Sequence, residues 1–184
     1  MEKTKQALLV MDMQSTILGL LSDTTKLVAD TSKAIKTARE KQIPVIYVVV
    51  GFRQGMPEIS KNNKAFSSIK QQMAHVDMQG WSAVHPDLTP QEQDIIVTKK
   101  RFSAFTGSDL EVVLRGLEIE HLVLTGISTS GVVLSTLREA ADKDFQLSVI
   151  EDCCADGDEE VHRVLMNKVF PRQAEVISLD QWAS

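Results

Sequence analysis

The chain has 184 residues, a formal net charge of -5 and 43% apolar residues. That length suits one domain, 1–184, able to bury roughly 70% of the surface its unfolded form exposes. The acidic balance argues against a phosphate-binding surface, and no apolar run reaches membrane-span length, so neither nucleic acid nor a membrane is an expected partner.

Residues 1–5 lead directly into a strand and lack a signal-peptide core. The apolar run 6–11 (QALLVM) ends at Asp12 and predicts a strand buried on both faces. Leu27, Val28, Ala34, Ile35 and Ala38 have helical spacing across 27–39. Residues 43–50 (IPVIYVVV) form the second predicted strand, rich in β-branched side chains. Gly55, Pro57, Asn62-Asn63 and Gly80 punctuate 51–90, a long connection expected to make a pocket wall or partner surface. It holds a short helix over 66–73, Trp81 reaching toward a neighbouring subunit, and a structural His85.

The third strand is 94–98 (DIIVT), followed by Lys99, and Ser108 is the expected N-cap of a helix over 109–116. Strand four, 121–125, meets Gly126, the polar run Ser128-Thr129-Ser130, and a helix over 131–142 with Ser130 as its N-cap. A fifth strand over 146–150, a helix over 159–170 stopped at Pro171, and a sixth strand over 174–178 complete the pattern. Regular alternation of this kind predicts an α/β fold, a three-layer α/β/α sandwich. Its sheet is six-stranded, parallel and doubly wound (Rossmann-like), with right-handed crossovers. The adjacent pair Cys153-Cys154 is poorly disposed for a disulfide, which points to a reducing cytoplasm.

In such sheets ligands bind beyond the carboxyl ends of the strands, where strand order reverses. Asp12, Lys99 and the 126–132 turn follow strands one, three and four, so all three face one edge. If strand one neighbours strand four, Asp12 lies beside the turn and Lys99 reaches in from farther along the sheet. The first helical N–H groups of the turn suit an anion or a developing oxyanion.

Three stretches in this order, ALLVMDMQ (7–14), VTKKRFSAFTGSDLEVVLR (97–115) and LTGISTSGVVLSTLREAAD (124–142), resemble the isochorismatase-like hydrolases, the cysteine hydrolase superfamily that includes nicotinamidases. The resemblance implies that Asp12 and Lys99 are catalytic. It also implies a substrate-binding set of Gln14, Phe102, Phe105, Ser128, Gly131 and Val132, although core packing is an equal reading of the two phenylalanines. The family's nucleophilic cysteine falls on Val132, which cannot form a thiolate or attack a carbonyl. Gly51-Phe52-Arg53 stands where nicotinamidases have a metal-binding Asp-x-His, so no metal and no cofactor are expected.

True isochorismatases hydrolyse a vinyl ether, and in them the cysteine is also replaced. Their aspartate is the proton donor and water finishes the reaction. By that resemblance Asp12 is a general acid, which requires burial, whereas Lys99 favours the ionised carboxylate; acid and base both stay open. The Gly131 and Val132 amides would hold a substrate carboxylate or oxyanion.

Ser130 activated by Lys99 is a minor alternative nucleophile, and Cys154 is better read as a small buried core residue than as a substitute thiol. The expectation is a metal-free hydrolase acting on a small, carboxylated molecule as a homo-oligomer. The rival is a relative that has lost catalysis and binds a metabolite or a protein partner.

Overall fold

Side-chain alternation along the first strand sets the layering. The computed structural model describes residues 5–72 and 78–184. In β1 (Gln6–Met11), Ala7, Leu9 and Met11 enter one apolar cluster, while Leu8 and Val10 enter another. A strand buried on both faces in this way belongs in the middle of a parallel sheet with helices on either side. The chain continues through α1 (Ser15–Leu18), α2 (Thr25–Glu40), β2 (Val45–Val50), α3 (Lys64–Gln72), α4 (Met78–Trp81), β3 (Ile95–Lys99) and α5 (Leu110–Gly116). It then runs through β4 (His121–Ile127), α6 (Leu134–Asp142), β5 (Gln146–Ala155), α7 (Glu159–Val164), β6 (Glu175–Ile177) and α8 (Leu179–Ala183).

The six strands lie in the order β3-β2-β1-β4-β5-β6, and every neighbouring pair is parallel. Leu110 and Leu114 of α5 and Leu137 and Ala140 of α6 cover one face. Leu27, Val28, Ala34 and Ile35 of α2, with Leu179 and Trp182 of α8, cover the other. This is the expected doubly wound α/β sandwich. Among the described residues no helix is long and apolar enough to cross a membrane.

The elements differ from expectation where distant contacts act. β4 and β5 run on to Ile127 and Ala155 because their pairing slips between Leu124 and Gly126 and then resumes at Gly126–Cys154. The helix expected from 131 opens as a wider π turn over Thr129–Val133, with Ser128 at its cap. Ser130 is therefore not the N-cap. Asp109 takes the cap position of α5, and Ser108 Oγ accepts a hydrogen bond from the Leu110 N–H at 3.3 Å. The expected helix 159–170 widens after α7 into a π turn over Leu165–Val169. A 3-10 turn over Phe170–Arg172 follows, in which Pro171 sits. The short α8, closed by a Ser178/Gln181 capping box, was not foreseen.

The long connection packs on the carboxyl end of β2. Val50, Phe52, Met56, Ile59 and Phe66 form a third apolar cluster, against which Ile17, Ile69 and Trp81 pack. Trp81, expected to reach a neighbouring subunit, is half-buried and packs against this cluster within its own chain. Residue 73, the expected end of the helix from 66, lies outside the described residues.

Candidate active site

Register brings the two halves of the site together. Met11 pairs with Gly126 across β1 and β4, so Asp12 leaves its strand beside the corner that follows β4. A Cβ on Gly126 would lie 2.6 Å from the Met11 carbonyl oxygen, so only glycine permits the approach. Asp12 turns into left-handed backbone at φ 57°, a region that aspartate tolerates, and its N–H donates to Val48 O at 2.8 Å.

Lys99 ends β3 and crosses β2 to reach the same place. Its Nζ is 2.9 Å from Asp12 Oδ2 and donates to Arg101 O at 2.9 Å. The lysine is 1% exposed and the aspartate 6%, so the pair is almost fully buried and each charge depends on the other. Asp12 Oδ1 has no hydrogen-bond partner. Burial pushes the Asp12 carboxyl up to about 6, opposed by the Lys99 charge and its hydrogen bond.

The corner after β4 carries more structural bonds than an open anion site would. The peptide between Ile127 and Ser128 is cis. Gly131 N donates to Ser128 O at 3.1 Å, so its amide is already engaged and does not match the expected role of anion donor. Ser130 N donates to Asp156 Oδ2 at 2.7 Å, and Thr129 Oγ1 lies 2.8 Å from His162 Nδ1. Asp156 and His162 hold the corner from outside. Neither stands in a sequence motif; only the fold brings them there.

The expected substrate-binding residues separate into two groups. Ser128, Gly131 and Phe102 lie together: a Cβ on Gly131 would stand 2.6 Å from Ser128 Oγ and 3.5 Å from the Phe102 ring. Phe102 is 44% exposed and tilts over Phe66 with ring centroids 5.0 Å apart. Val132 is buried in the same apolar cluster as Met11, Ala104 and Cys154.

Phe105 is different. It stacks on Phe145, which immediately precedes β5, and so faces the core near the opposite end of the sheet. Gln14 is also corrected. It is fully buried, its Nε2 donates to Val50 O and Trp81 O, and its Oε1 accepts from Val50 N. Those bonds tie the third apolar cluster to the end of β1, a bracing role.

A side-chain bond fastens the second stretch to the third. Ala104 N donates to Thr136 Oγ1 at 2.9 Å, and Ser103 Oγ donates to Glu139. Both thiols are buried. Burial pushes Cys153 up to about 12 and raises Cys154 further.

An Isochorismatase domain model matches residues 6–181. The chain belongs to the isochorismatase family. It is 33% identical over 178 residues to the isochorismatase family protein YecD of Escherichia coli O157:H7, covering 95% of this chain and 93% of YecD. Ureidoacrylate amidohydrolase RutB of Acinetobacter baylyi is 30% identical over 89% of this chain and 76% of RutB. Among solved structures, an isochorismatase family protein from Burkholderia thailandensis superposes with a TM-score of 0.84 at 28% identity, covering 96% and 92% of the two chains. N-carbamoylsarcosine amidase from Thermoplasma acidophilum gives 0.78 at 26% identity, with 96% and 98% covered. As an isochorismatase-family chain, this protein presents its first, second and third stretches at one edge of the sheet, with Asp12 and Lys99 in contact.

Proposed function

We propose that this isochorismatase-family protein is a hydrolase of a small metabolite, and that it works by proton transfer from Asp12 with water as the nucleophile. The observation that carries the reading is the buried Asp12–Lys99 pair with Asp12 Oδ1 left open. Lys99 holds Oδ2, so Oδ1 is the oxygen that gives the proton. The substrate becomes electrophilic on protonation, water adds to the cationic carbon, and the proton that water sheds returns to Asp12. Lys99 pairs with the Asp12 carboxylate left after the proton is given. Val132 stands at the position of the family's nucleophile, and the two native thiols are held in their protonated form by burial. The likeness to RutB and N-carbamoylsarcosine amidase supports hydrolysis as the reaction type.

The Val132 amide and the open side of Ser128 are the proposed contacts for the reacting group, with Phe102 forming a wall. The proposed setting is cytoplasmic, in keeping with two unpaired cysteines, and the proposed state is a homo-oligomer. A panel of vinyl ether, ester, amide and ureido compounds tests the reading. Turnover of at least one class, lost in Asp12→Asn and in Lys99→Ala with the fold intact, is expected; full activity in Asp12→Asn removes the acid role.

Val132 also favours a second reading, a binding protein without turnover. Saturable binding of a metabolite with no turnover across the panel would establish it.

A further inference from the structure

The start of the corner after β4 is set by the sheet, since Gly126 pairs with Met11 beside Asp12. Past Ser128 the support changes. Gly131 N and Val133 N both donate to Ser128 O, which closes the π turn on itself. The rest comes from the segment after β5. Asp156 bridges the two: its Oδ2 accepts from Ser130 N at 2.7 Å and its Oδ1 from Asp158 N at 3.3 Å. Asp158 in turn caps α7 by accepting from Glu160 N and Val161 N. Within α7, His162 Nδ1 lies 2.8 Å from the hydroxyl of Thr129, which is fully buried. Two consecutive residues of the corner are thus tied to one short segment.

α7 itself buries no residue, so what the helix brings to the corner is polar. On their outer side Asp156 and His162 line a cavity of about 690 Å³ with Leu20, Asp23, Gly157 and Glu159. They stand between a void and the corner, and close packing does not set their places.

We propose that Asp156 and His162 are positioning residues, which hold Thr129 and Ser130 and thereby fix the direction of residue 132 relative to Asp12. The proposal rests on the reading of this corner as the substrate site. Thr129 and Val132 share one turn, so rotation of the first carries the second with it. Without His162 the buried Thr129 hydroxyl loses its partner and turns to find another; without Asp156 the Ser130 N–H is released. Neither side chain touches the substrate in this reading, because both act through the backbone of the corner.

Four variants of the full chain test this. His162→Ala and Asp156→Ala remove the bonds. His162→Asn puts a side-chain amide near the place of Nδ1, and Asp156→Asn keeps an oxygen for the Ser130 N–H. Amide hydrogen exchange by NMR at Gly131 and Val133 reads the corner, and Leu9 in β1, paired with strands on both sides, reads global opening. In the alanine variants exchange at Gly131 and Val133 is expected to accelerate about tenfold more than at Leu9, and the asparagine variants recover most of the difference. On a substrate of the panel kcat falls about tenfold in the alanine variants, KM stays within about twofold, and asparagine again restores.

Corner exchange that changes only as much as Leu9 overturns the proposal, since it marks a purely structural role. So do wild-type kcat in both alanine variants, or asparagine variants no better than alanine. If one alanine variant fails to fold, the other position decides. Absence of turnover by the wild type removes the hydrolase reading and leaves the exchange comparison to decide whether the corner is positioned.

Discussion

Lys99 reaches Asp12 from two strands away: its Nζ lies 2.9 Å from Asp12 Oδ2 although β2 runs between their strands. The pair couples the outer half of the sheet to the point where strand order reverses. Because both groups are almost completely buried, removing one partner leaves the other as an uncompensated charge. Lys99→Ala is expected to cost about 3–5 kcal/mol in denaturant unfolding, and Lys99→Met combined with Asp12→Asn distinctly less. Equal losses in the single and double variants would show that the pair is not coupled.

The pH dependence has a definite sign. The folded Asp12 carboxyl sits at about 6 against a reference of 3.8, so between those values the folded state holds more protons than the unfolded one. The contribution of Asp12 to stability is thus fully present below the reference value and falls as pH rises toward 6. Melting temperatures of the wild type and Asp12→Asn, compared across that window, are expected to converge or cross as pH rises. Parallel curves would mean that Asp12 keeps its ordinary ionisation.

If Asp12 is the proton donor, kcat/KM on a substrate of the panel falls as pH rises through about 6. A rate that rises through the same value assigns the base role instead.

Gly126 has no room for a side chain. A Cβ there would stand 2.6 Å from Met11 O and 2.9 Å from Met11 Cβ, so Gly126→Ala must force β1 and β4 apart. A loss of about 2–3 kcal/mol is expected. Gly116 ends α5 with nothing near its Cβ position, and Gly116→Ala is expected to be neutral or to gain up to about 1 kcal/mol. Denaturant titration of both variants measures the contrast, which disappears if Gly126 is only a flexible link.

Thiol chemistry separates the native cysteines from an introduced one. Cys153 and Cys154 are expected to resist iodoacetamide near neutral pH while the chain is folded, since burial keeps both protonated. Val132 is as deeply buried as the native thiols, so Val132→Cys is expected to add a labelled site only if a thiol there is ionised by its surroundings, as the family's nucleophile position requires. Mass spectrometry after native labelling counts the adducts; a Val132→Cys protein that stays unlabelled would argue against Val132 standing at the reacting position.

The sequence by itself determined the alternation of strands and helices, the glycine at the crossing of β1 and β4, and the positions of Asp12 and Lys99 at strand ends. Those are local facts: a six-residue apolar run or a residue just past it is visible without knowing its neighbours. Tertiary structure decided which side chains turn outward and which are engaged. The family resemblance made Gln14 a contact for substrate, yet its carboxamide is fixed by the backbone of Val50 and Trp81, 36 and 67 residues away. Phe105 shares a motif with Phe102 but faces Phe145 in the core. Asp156 and His162 carry no pattern of their own. Their places follow from hydrogen bonds and apolar packing between segments far apart in the chain, and such long-range pairings leave no periodicity for a single sequence to display.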